Sequence, residues 1–337
     1  HNGEVSSLMA TNAKNLAEYL NNETTSATAD IADGSITTAK LANDAVTNDK
    51  VANNAINTDQ IVNSAVTAVK QSGSQVPSFA TGGTVTEYSS GGTNYRVHTF
   101  TSAATSQISF TGSKVIDYMI LGGGGGGAGA EGYQGASGGA GAGGMVVATS
   151  QTIAAGNYAV VVGAGGIGSD NIDAIGGNGG NSSFNSHVGT GGGGGPDYNS
   201  AGNAGGSGAG GAEPGKAAGA TTQATYSGVT NVTGYGNAGG AGGAYVGGGS
   251  GGGGGAGGAG TAANGGTAAG GVGRANNFRT GSNVTYGRGG NGNESNNTGA
   301  DEAANTGNGA HSTATTNGNN ASSGNGGSGI VVIRYAL

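Results

Sequence analysis

A stretch with the spacing of a metal site runs from Gly165 to Asp173, with the sequence GGIGSDNID. It fits the calcium-binding β-roll nonapeptide, whose acidic side chains hold the ion between consecutive turns. Asp170 and Asp173 are therefore the candidate calcium ligands. A β-roll needs several such turns in succession, and the near copy that begins at Gly176 carries Asn181 in place of the first acid. The sequence therefore favours a chain without a bound metal.

The other residues with potentially catalytic or metal-binding side chains are not clustered in the sequence. The chain has four histidines, none with a companion at the spacing of a metal site or a catalytic triad, and it has no cysteine. Its carboxylates are scattered among glycines, without the pairing that acid–base catalysis requires. Its GxGxxG matches follow from the 81 glycines and indicate no dinucleotide site. We therefore predict a protein that is not an enzyme and that uses no cofactor.

Aromatic and arginine side chains collect where glycine becomes sparse, as in residues 221–233, 274–288 and 293–306. Exposed Tyr and Arg side chains dominate many binding sites, and aromatic rings suit sugar faces or loops of another protein. These side chains are the candidate receptor-binding residues. The alternative is that they pack against the sides of the glycine-rich domain. The candidates are Tyr198, Tyr226, Tyr235, Tyr245, Arg274, Phe278, Arg279, Tyr286 and Arg288.

The charge balance excludes some partners. The net charge is −7, the isoelectric point is near 4.9 and only 9% of residues are charged. Because no cluster of Lys and Arg is present, we expect no nucleic-acid partner. No run of 18 apolar residues occurs, so we expect no membrane insertion. Since the chain opens at His1 without a methionine, a fragment or a processed product is expected.

Two apolar strand sequences bracket the glycines, most of which lie between Gly122 and Gly329. Val115–Leu121 precedes this block and Ile330–Tyr335 follows it. We predict that these two segments pair in one sheet, which requires the block to fold back on itself. The boundaries that follow are a β-strand domain at 73–121, a glycine-rich domain at 122–329 with early hairpin strands at 145–162, and a closing strand at 330–337.

Ordered glycine needs compensation, because it loses more conformational freedom than any other residue. Extended polyglycine helices with three residues per turn have no internal hydrogen bonds, and their free N–H and C=O groups bond to neighbouring helices. The predicted fold class is therefore mainly β plus a polyglycine II-like helix bundle. Irregular glycine loops and disorder are the alternatives. Collagen is excluded because the chain has three prolines and no regular Gly-X-Y register.

The first 72 residues have a different character. Apolar positions recur at three- and four-residue spacing near the N-terminus, so residues 1–29 are predicted to form a short helix that attaches to another protein. Residues 30–72 contain a ten-residue repeat, a mark of a fibrous shaft. A flexible linker is the alternative. Two apolar columns, too small to be buried by one chain, are the predicted oligomer core: Ile36, Leu41, Val46, Val51, Ile56, Ile61 and Val66.

Several of these segments resemble bacteriophage tail fibres and adhesins with glycine-rich domains. The resemblance rests on YMILGGGGGG at the entry strand, GNYAVVVGAGG, NGGNSSF and the terminal GGSGIVVIRY. The decapeptides resemble the repeats of fibre shafts, so the similarity extends from about Asp30 to Tyr335. It implies an extracellular protein of the virion, a homotrimer joined to other tail proteins through its N-terminal segment.

The same resemblance implies a function. Tip loops of such fibres contact the host surface, either a polysaccharide or an outer-membrane protein. We therefore expect a structural and receptor-binding protein that attaches the virion to its host. The main alternative is a structural fibre of a virion or cell surface whose glycine-rich domain serves assembly. A spike that cleaves polysaccharide is less favoured, because no acidic pair stands out.

Overall fold

The protein is described here by a computed structural model that covers residues 12–15, 37, 79–129, 137–169, 174–245, 247–292, 299–312 and 323–337. The chain divides into two units, His1–Val76 and Pro77–Leu337. Of the first unit, residues 12–15 are helical and exposed. The remainder of the predicted N-terminal helix, the decapeptide repeats and the predicted oligomer core from Ile36 to Val66 lie outside the described residues.

The described residues of the second unit form thirteen strands. Most are short and rich in β-branched and aromatic residues, which suit a pleated, half-buried surface. In chain order they are β1 (Ala80–Thr81), β2 (Thr84–Ser90), β3 (Thr93–Phe100), β4 (Thr105–Phe110), β5 (Lys114–Leu121), β6 (Met145–Ile153), β7 (Gly156–Val161), β8 (Ser182–Phe184), β9 (His187–Gly189), β10 (Val232–Tyr235), β11 (Arg274–Asn276), β12 (Val284–Tyr286) and β13 (Ile330–Ala336).

These strands form two principal sheets, and every pair of neighbouring strands in them is antiparallel. The six-stranded sheet has the order β10-β6-β5-β13-β3-β2, and the five-stranded sheet has the order β1-β4-β7-β8-β9. β11 and β12 form a separate hairpin. The chain therefore enters the glycine-rich region at the end of β5, in the middle of the larger sheet. After that region it returns to the same sheet as β13, which lies next to β5.

The closing strand pairs as the sequence predicts. β13 lies antiparallel to β5, with Ile330 opposite Leu121 and Val332 opposite Met119. On its other side β13 pairs with β3, where Val331 lies opposite Phe100. The last strand of the chain thus lies in the middle of the larger sheet. This sheet therefore contains strands that precede the glycine-rich region and a strand that follows it.

The central strands of the larger sheet are buried on both faces. One face packs against the five-stranded sheet, where Ile120 and Ile333 meet Ile108, Val160 and Phe184. The residues that alternate with them point to the opposite face, as the two-residue period of a strand requires. That second face forms another apolar cluster, made of Val97, Met119, Leu121, Met145, Ala256, Phe278, Tyr286, Ile330 and Val332.

A half-buried arginine ties the closing strand to its surroundings. Arg334 pairs with Asp117 of β5, with two nitrogen–oxygen distances of 3.0 Å. It also donates to the Tyr88 hydroxyl at 2.7 Å, and its guanidinium lies 4.0 Å from the centre of the Phe278 ring. Charge-assisted hydrogen bonds of this kind are stronger than neutral ones. The network therefore links β13, β5 and β2 to the loop after β11.

The predicted helix bundle is wrong. Strands and bridges make up 31% of the described residues and helix 2%, and no helix there reaches seven residues. The regular secondary structure of the described residues is therefore almost all β, and its sheets are antiparallel. The described glycine-rich segments between residues 122 and 329, which we call the glycine scaffold, are extended chain that carries no regular secondary structure over most of its length. The sequence identified the need for bonds between segments but not the form that they take.

Hydrogen bonds between segments hold the glycine scaffold together. The N–H groups of Gly122 and Gly125 bond to one returning segment, at Gly144 and Gly141, over 3.0 and 2.9 Å. Those of Gly123 and Gly126 bond to a second segment, at residues 180 and 177, and those of Gly124 and Gly127 to a third, at residues 327 and 324. The segment from Gly122 to Gly127 is therefore bonded to three others in rotation. This satisfies backbone groups that burial would otherwise leave unpaired.

Asparagine side chains extend this bonding. The Asn178 and Asn181 side-chain oxygens accept hydrogen bonds from the N–H groups of Gly194 and Gly191, each at 2.8 Å. The Asn325 side-chain oxygen accepts in the same way from Gly168 at 2.8 Å. An asparagine oxygen can replace a backbone carbonyl because both are amide acceptors. The asparagines of the glycine-rich region thus complete the hydrogen bonding of the glycine scaffold.

Two core histidines make stability depend on pH. Burial lowers the pKa of His98, which contacts the Gly82 carbonyl through Nδ1 at 2.7 Å, and it also lowers the pKa of His187, whose Nδ1 lies 2.7 Å from the Tyr118 hydroxyl. Burial likewise raises the pKa of Tyr118 to about 12. Both histidines are therefore neutral in the folded chain at neutral pH.

We expect the free energy of unfolding to fall as the pH drops below 6.5, the ordinary histidine pKa. Below that value the unfolded chain binds more protons than the folded chain, and each histidine then contributes a loss of up to about 1.4 kcal/mol per pH unit. Denaturant titrations across this range measure the slope. The double variant His98→Gln, His187→Gln should show a flatter profile, and an unchanged slope would contradict the assignment to these two side chains.

Candidate functional site

The turns of the glycine scaffold fall at two ends. The chain leaves the sheets at Gly122, directly after β5, and returns at Gly144, directly before β6. The segment from Ser207 to Gly210 runs antiparallel to the returning one, since Ser207 bonds to Ala142 and Gly210 to Gly139. It therefore leads away from the sheets again. Segments that lead away from the sheets alternate in this way with segments that lead back to them. The turns between an outgoing segment and the next returning segment lie at the end remote from the sheets.

Four described turns at this remote end are hydrogen-bonded in a row. They comprise residues 197–200, 213–216, 244–249 without 246, and 264–266, and we call them the distal turns. Asn199 donates to the Glu213 carbonyl at 3.0 Å, and Gly215 donates to the Gly243 carbonyl. Gly265 donates to the Gly248 carbonyl at 2.9 Å. Because each turn is bonded to the next, their side chains are presented on one connected surface.

A buried carboxylate fixes the middle of this row. Glu213 is only 3% exposed, and its carboxylate accepts a hydrogen bond from the Gly249 N–H at 2.8 Å. A charged acceptor strengthens that bond relative to a neutral one. It joins two neighbouring distal turns through a side chain, in addition to the backbone bond between Gly215 and Gly243.

Side chains on the distal turns offer aromatic, cationic and amide groups. Tyr245 is the most accessible aromatic among the large exposed apolar side chains, at 66% exposure. Tyr198 and Lys216 are half-buried, and Asn199 and Asn264 are exposed. Such a surface can stack on a flat ligand face and can both donate and accept hydrogen bonds.

The structure separates the predicted receptor-binding residues into two groups. Tyr198 and Tyr245 lie on the distal turns, remote from the sheets. The other seven, Tyr226, Tyr235, Arg274, Phe278, Arg279, Tyr286 and Arg288, lie beside the strands at the opposite end of the glycine scaffold. The nine residues therefore do not form one surface.

Tyr226 and Tyr235 have packing partners in the folded chain. The Tyr226 hydroxyl accepts a hydrogen bond from the Val188 N–H at 2.7 Å, and its ring meets the ring of His187 edge-on, with centroids 4.8 Å apart. The Arg274 guanidinium lies 3.5 Å from the centre of the Tyr235 ring. These contacts account for the three side chains without an external ligand.

Phe278 and Tyr286 require a correction, because we predicted them to be exposed. They are 6% and 2% exposed and belong to the apolar cluster on the second face of the larger sheet. Burial also raises the pKa of Tyr286, with Arg279 acting in the opposite direction. Neither ring is accessible to a partner. Arg279 is half-buried and Arg288 is exposed, both away from the distal turns.

The candidate calcium ligands Asp170 and Asp173 lie outside the described residues. Within the described ranges, no three His, Cys, Asp or Glu side chains lie close enough together to hold a metal ion. In the same part of the chain, no helix is both long and apolar enough to cross a lipid bilayer.

Sequence reasoning missed Glu213 and Lys216, although a signal for their position was present. Pro196 directly precedes one distal turn and Pro214 lies within another. Proline interrupts regular backbone structure and favours turns. A proline within a glycine-rich stretch therefore marked a change of direction more reliably than the loss of glycine did.

The comparisons with known proteins agree with this architecture. The sequence pattern that describes the glycine-rich domain matches residues 99–336, which comprise the greater part of the chain. A search of curated protein sequences finds no match. The matched range begins in β3 and ends in β13, so it contains most residues of both core clusters and the whole glycine scaffold. The chain therefore belongs to the glycine-rich domain family.

Proposed function

We propose that this chain is a structural and receptor-binding protein of a bacteriophage tail fibre, which attaches the virion to the host surface through its distal turns. The observation that carries the proposal is the connected row of turns at the end of the glycine scaffold remote from the sheets. Loops held on a rigid support are common binding elements, because their side chains vary without disturbing what holds them.

The chemistry of the distal turns defines the receptor classes that we propose. Tyr245 and Tyr198 offer rings for stacking, and Lys216 and Asn199 offer polar contacts at the same end. A polysaccharide of the host surface or a loop of an outer-membrane protein matches this combination. The proposal includes no catalytic step and no cofactor.

The first 72 residues complete the proposal. We propose that the decapeptide repeats assemble three chains around Ile36, Val46, Ile56 and Val66, and that residues 1–29 join the other tail proteins. Both suggestions rest on the apolar spacing of the sequence. Three copies of the distal turns on one fibre would bind a repetitive surface by multivalency.

The test measures attachment of the labelled full chain to a panel of bacterial cells by flow cytometry. We expect binding to at least one strain, and the double variant Tyr198→Ala, Tyr245→Ala should weaken it about tenfold or more, the size expected for a binding hot spot. Val115→Ala, at a site 55% exposed on β5, is the matched control and should retain full binding. Melting temperatures should be unchanged in both variants.

Two outcomes would reject this proposal. The first is an absence of binding to every strain, and the second is a distal double variant that binds as well as the control. If the double variant instead melts at a lower temperature and no strain is bound, Tyr198 and Tyr245 are packing residues and the assembly role is favoured.

A structural fibre that serves assembly is the second candidate, and the edge strand β2 favours it. Six of its seven residues are exposed, and its outer edge borders no other described strand. An exposed edge of this length is able to pair with another chain. Val85→Lys should then reduce self-association in sedimentation experiments while leaving attachment to cells unchanged.

A further inference from the structure

A groove on the five-stranded sheet opens where the β8–β9 hairpin ends. β8 pairs with only two residues of β7, Val160 and Val161, although β7 begins at Gly156. On the side of β7 that faces β8, residues 157–159 therefore border a groove instead of a neighbouring strand. The turn of the β8–β9 hairpin closes one end of this groove. The groove has a volume of about 450 Å³. That size is within the range of small-molecule sites in proteins.

From its position and chemistry, we infer that this groove is a binding site for a neutral oligosaccharide. The residues that line it include two asparagines, two serines and a tyrosine, namely Asn157, Asn185, Ser183, Ser186 and Tyr158. None of the residues that line it is charged. Amides and hydroxyls both donate and accept hydrogen bonds, as sugar hydroxyls do. An anionic ligand would meet no positively charged side chain in the groove to compensate for the water that it loses on binding.

The aromatic wall is held in place before any ligand binds. The Tyr158 hydroxyl donates to the Ala154 carbonyl at 3.2 Å. Its ring contacts Phe110 edge-on at 5.9 Å between centroids and lies 6.2 Å from the ring of Phe184. An amphipathic ring fixed in this way can pack against the apolar C–H face of a sugar while amides contact its hydroxyls.

The opposite wall is equally constrained. Asn185 and Ser186 form the two-residue turn between β8 and β9, with φ angles of 48° and 64°. Two consecutive left-handed residues are typical of the tightest β-hairpin turns, whose twist matches that of the strands. Since both walls are ordered by contacts within the chain, a ligand loses little affinity to the ordering of loops.

This inference goes beyond the proposed function and does not depend on it. The groove lies on the five-stranded sheet, whereas the distal turns lie at the other end of the glycine scaffold. A groove that binds sugars would remain if the chain were a structural fibre. Conversely, attachment to cells through Tyr245 would remain if the groove bound nothing.

Saturation-transfer NMR on the full chain, with isothermal titration of any hit, tests the inference. The probes are maltotriose, cellotriose, mannotriose and chitotriose at millimolar concentration, with sialyllactose as the anionic comparison. We expect at least one neutral trisaccharide to bind and sialyllactose to bind no more tightly than that trisaccharide. Asn157→Ala, at an exposed position, should weaken binding about tenfold, the cost of a lost polar contact in a desolvated site.

Two further variants complete the design. Tyr158→Ala removes the aromatic wall and should also weaken sugar binding, whereas Tyr245→Ala lies on a distal turn, outside the groove, and should retain it. The inference is overturned if none of the four neutral trisaccharides binds, if sialyllactose binds more tightly than all of them, or if Asn157→Ala binds as well as the unaltered protein.

Discussion

Replacing Gly124 with alanine is expected to lower the free energy of unfolding by about 3 kcal/mol or more, the upper range for overpacking a filled interior. The Gly124 N–H bonds to the Gly327 carbonyl at 2.9 Å, and its carbonyl accepts from Gly166 at 2.8 Å. A Cβ at this position would overlap the carbonyl oxygen of Asn308. The obstructing atom belongs to backbone that is itself fixed in the glycine scaffold, so no side-chain rotation relieves the overlap.

Gly266→Ala is the matched control for this prediction. Gly266 lies on a distal turn, has an ordinary backbone conformation, and has no atom within 4 Å of the added methyl group. Alanine there should be neutral, or stabilising by about 0.4–1 kcal/mol, because it restricts the unfolded chain. Thermal and denaturant unfolding of both variants measure the difference. Equal stability of the two variants would mean that the glycine scaffold is not closely packed.

Deleting the last eight residues, 330–337, is expected to abolish cooperative unfolding of the whole second unit. The deletion removes β13 from between β5 and β3, and with it two ladders of backbone hydrogen bonds. It also removes Ile330, Val332 and Ile333, which are fully buried. Losing even one large buried side chain costs about 2–5 kcal/mol, against a total stability of about 5–15 kcal/mol for a typical domain.

Deletion of Leu337 alone provides the control. This residue is 48% exposed, and its N–H donates to the Asn94 carbonyl at 2.9 Å. Losing that one hydrogen bond should cost about 1 kcal/mol and leave a cooperative transition. Circular dichroism and calorimetry compare the two truncated chains with the full chain. A chain without residues 330–337 that melts like the full chain would contradict a central role for β13.

The sheets were largely predictable from the sequence, because strands leave a pattern in their side chains. Lys114–Leu121 and Ile330–Ala336 are rich in β-branched and aromatic residues, and their position at the two ends of the glycine block predicted that they pair. Met145–Ile153 and Gly156–Val161 were recognisable as strands, but the predicted hairpin is wrong, because the two strands lie in different sheets and do not pair with each other. Apolar side chains thus identified the strands, whereas the pairing of β6 and β7 was not evident from them.

The glycine scaffold was not predictable to the same extent, for a physical reason. Glycine carries no side chain, so a run of glycines has no periodicity that would indicate its register or its neighbours. The bonds of Gly123 to residue 180 and of Gly124 to residue 327 are specified by the surrounding chain and not by those two residues. The sequence indicated that hydrogen bonds between glycine segments were needed. The helix bundle that we predicted from this need was wrong.

The predicted exposure of Phe278 and Tyr286 was wrong because a loss of glycine has two causes. Phe278 and Tyr286 stand where the chain returns to the sheet and needs apolar side chains for a core. Tyr245 stands where the chain turns at the remote end and is exposed. Both places look alike in sequence, and only the direction of each segment distinguishes them. The prolines at two distal turns were the better guide.

The three-way bonding of the glycine segments has a mechanical consequence. Two strands joined by one ladder can be peeled apart from an end, breaking one bond after another at low force. The segment from Gly122 to Gly127 shares its N–H bonds among three neighbours in rotation. A pull that separates it from one neighbour must at once shear its bonds to the other two. Load applied at the distal turns is therefore divided among many bonds, and the glycine scaffold should stretch little before it fails as a whole.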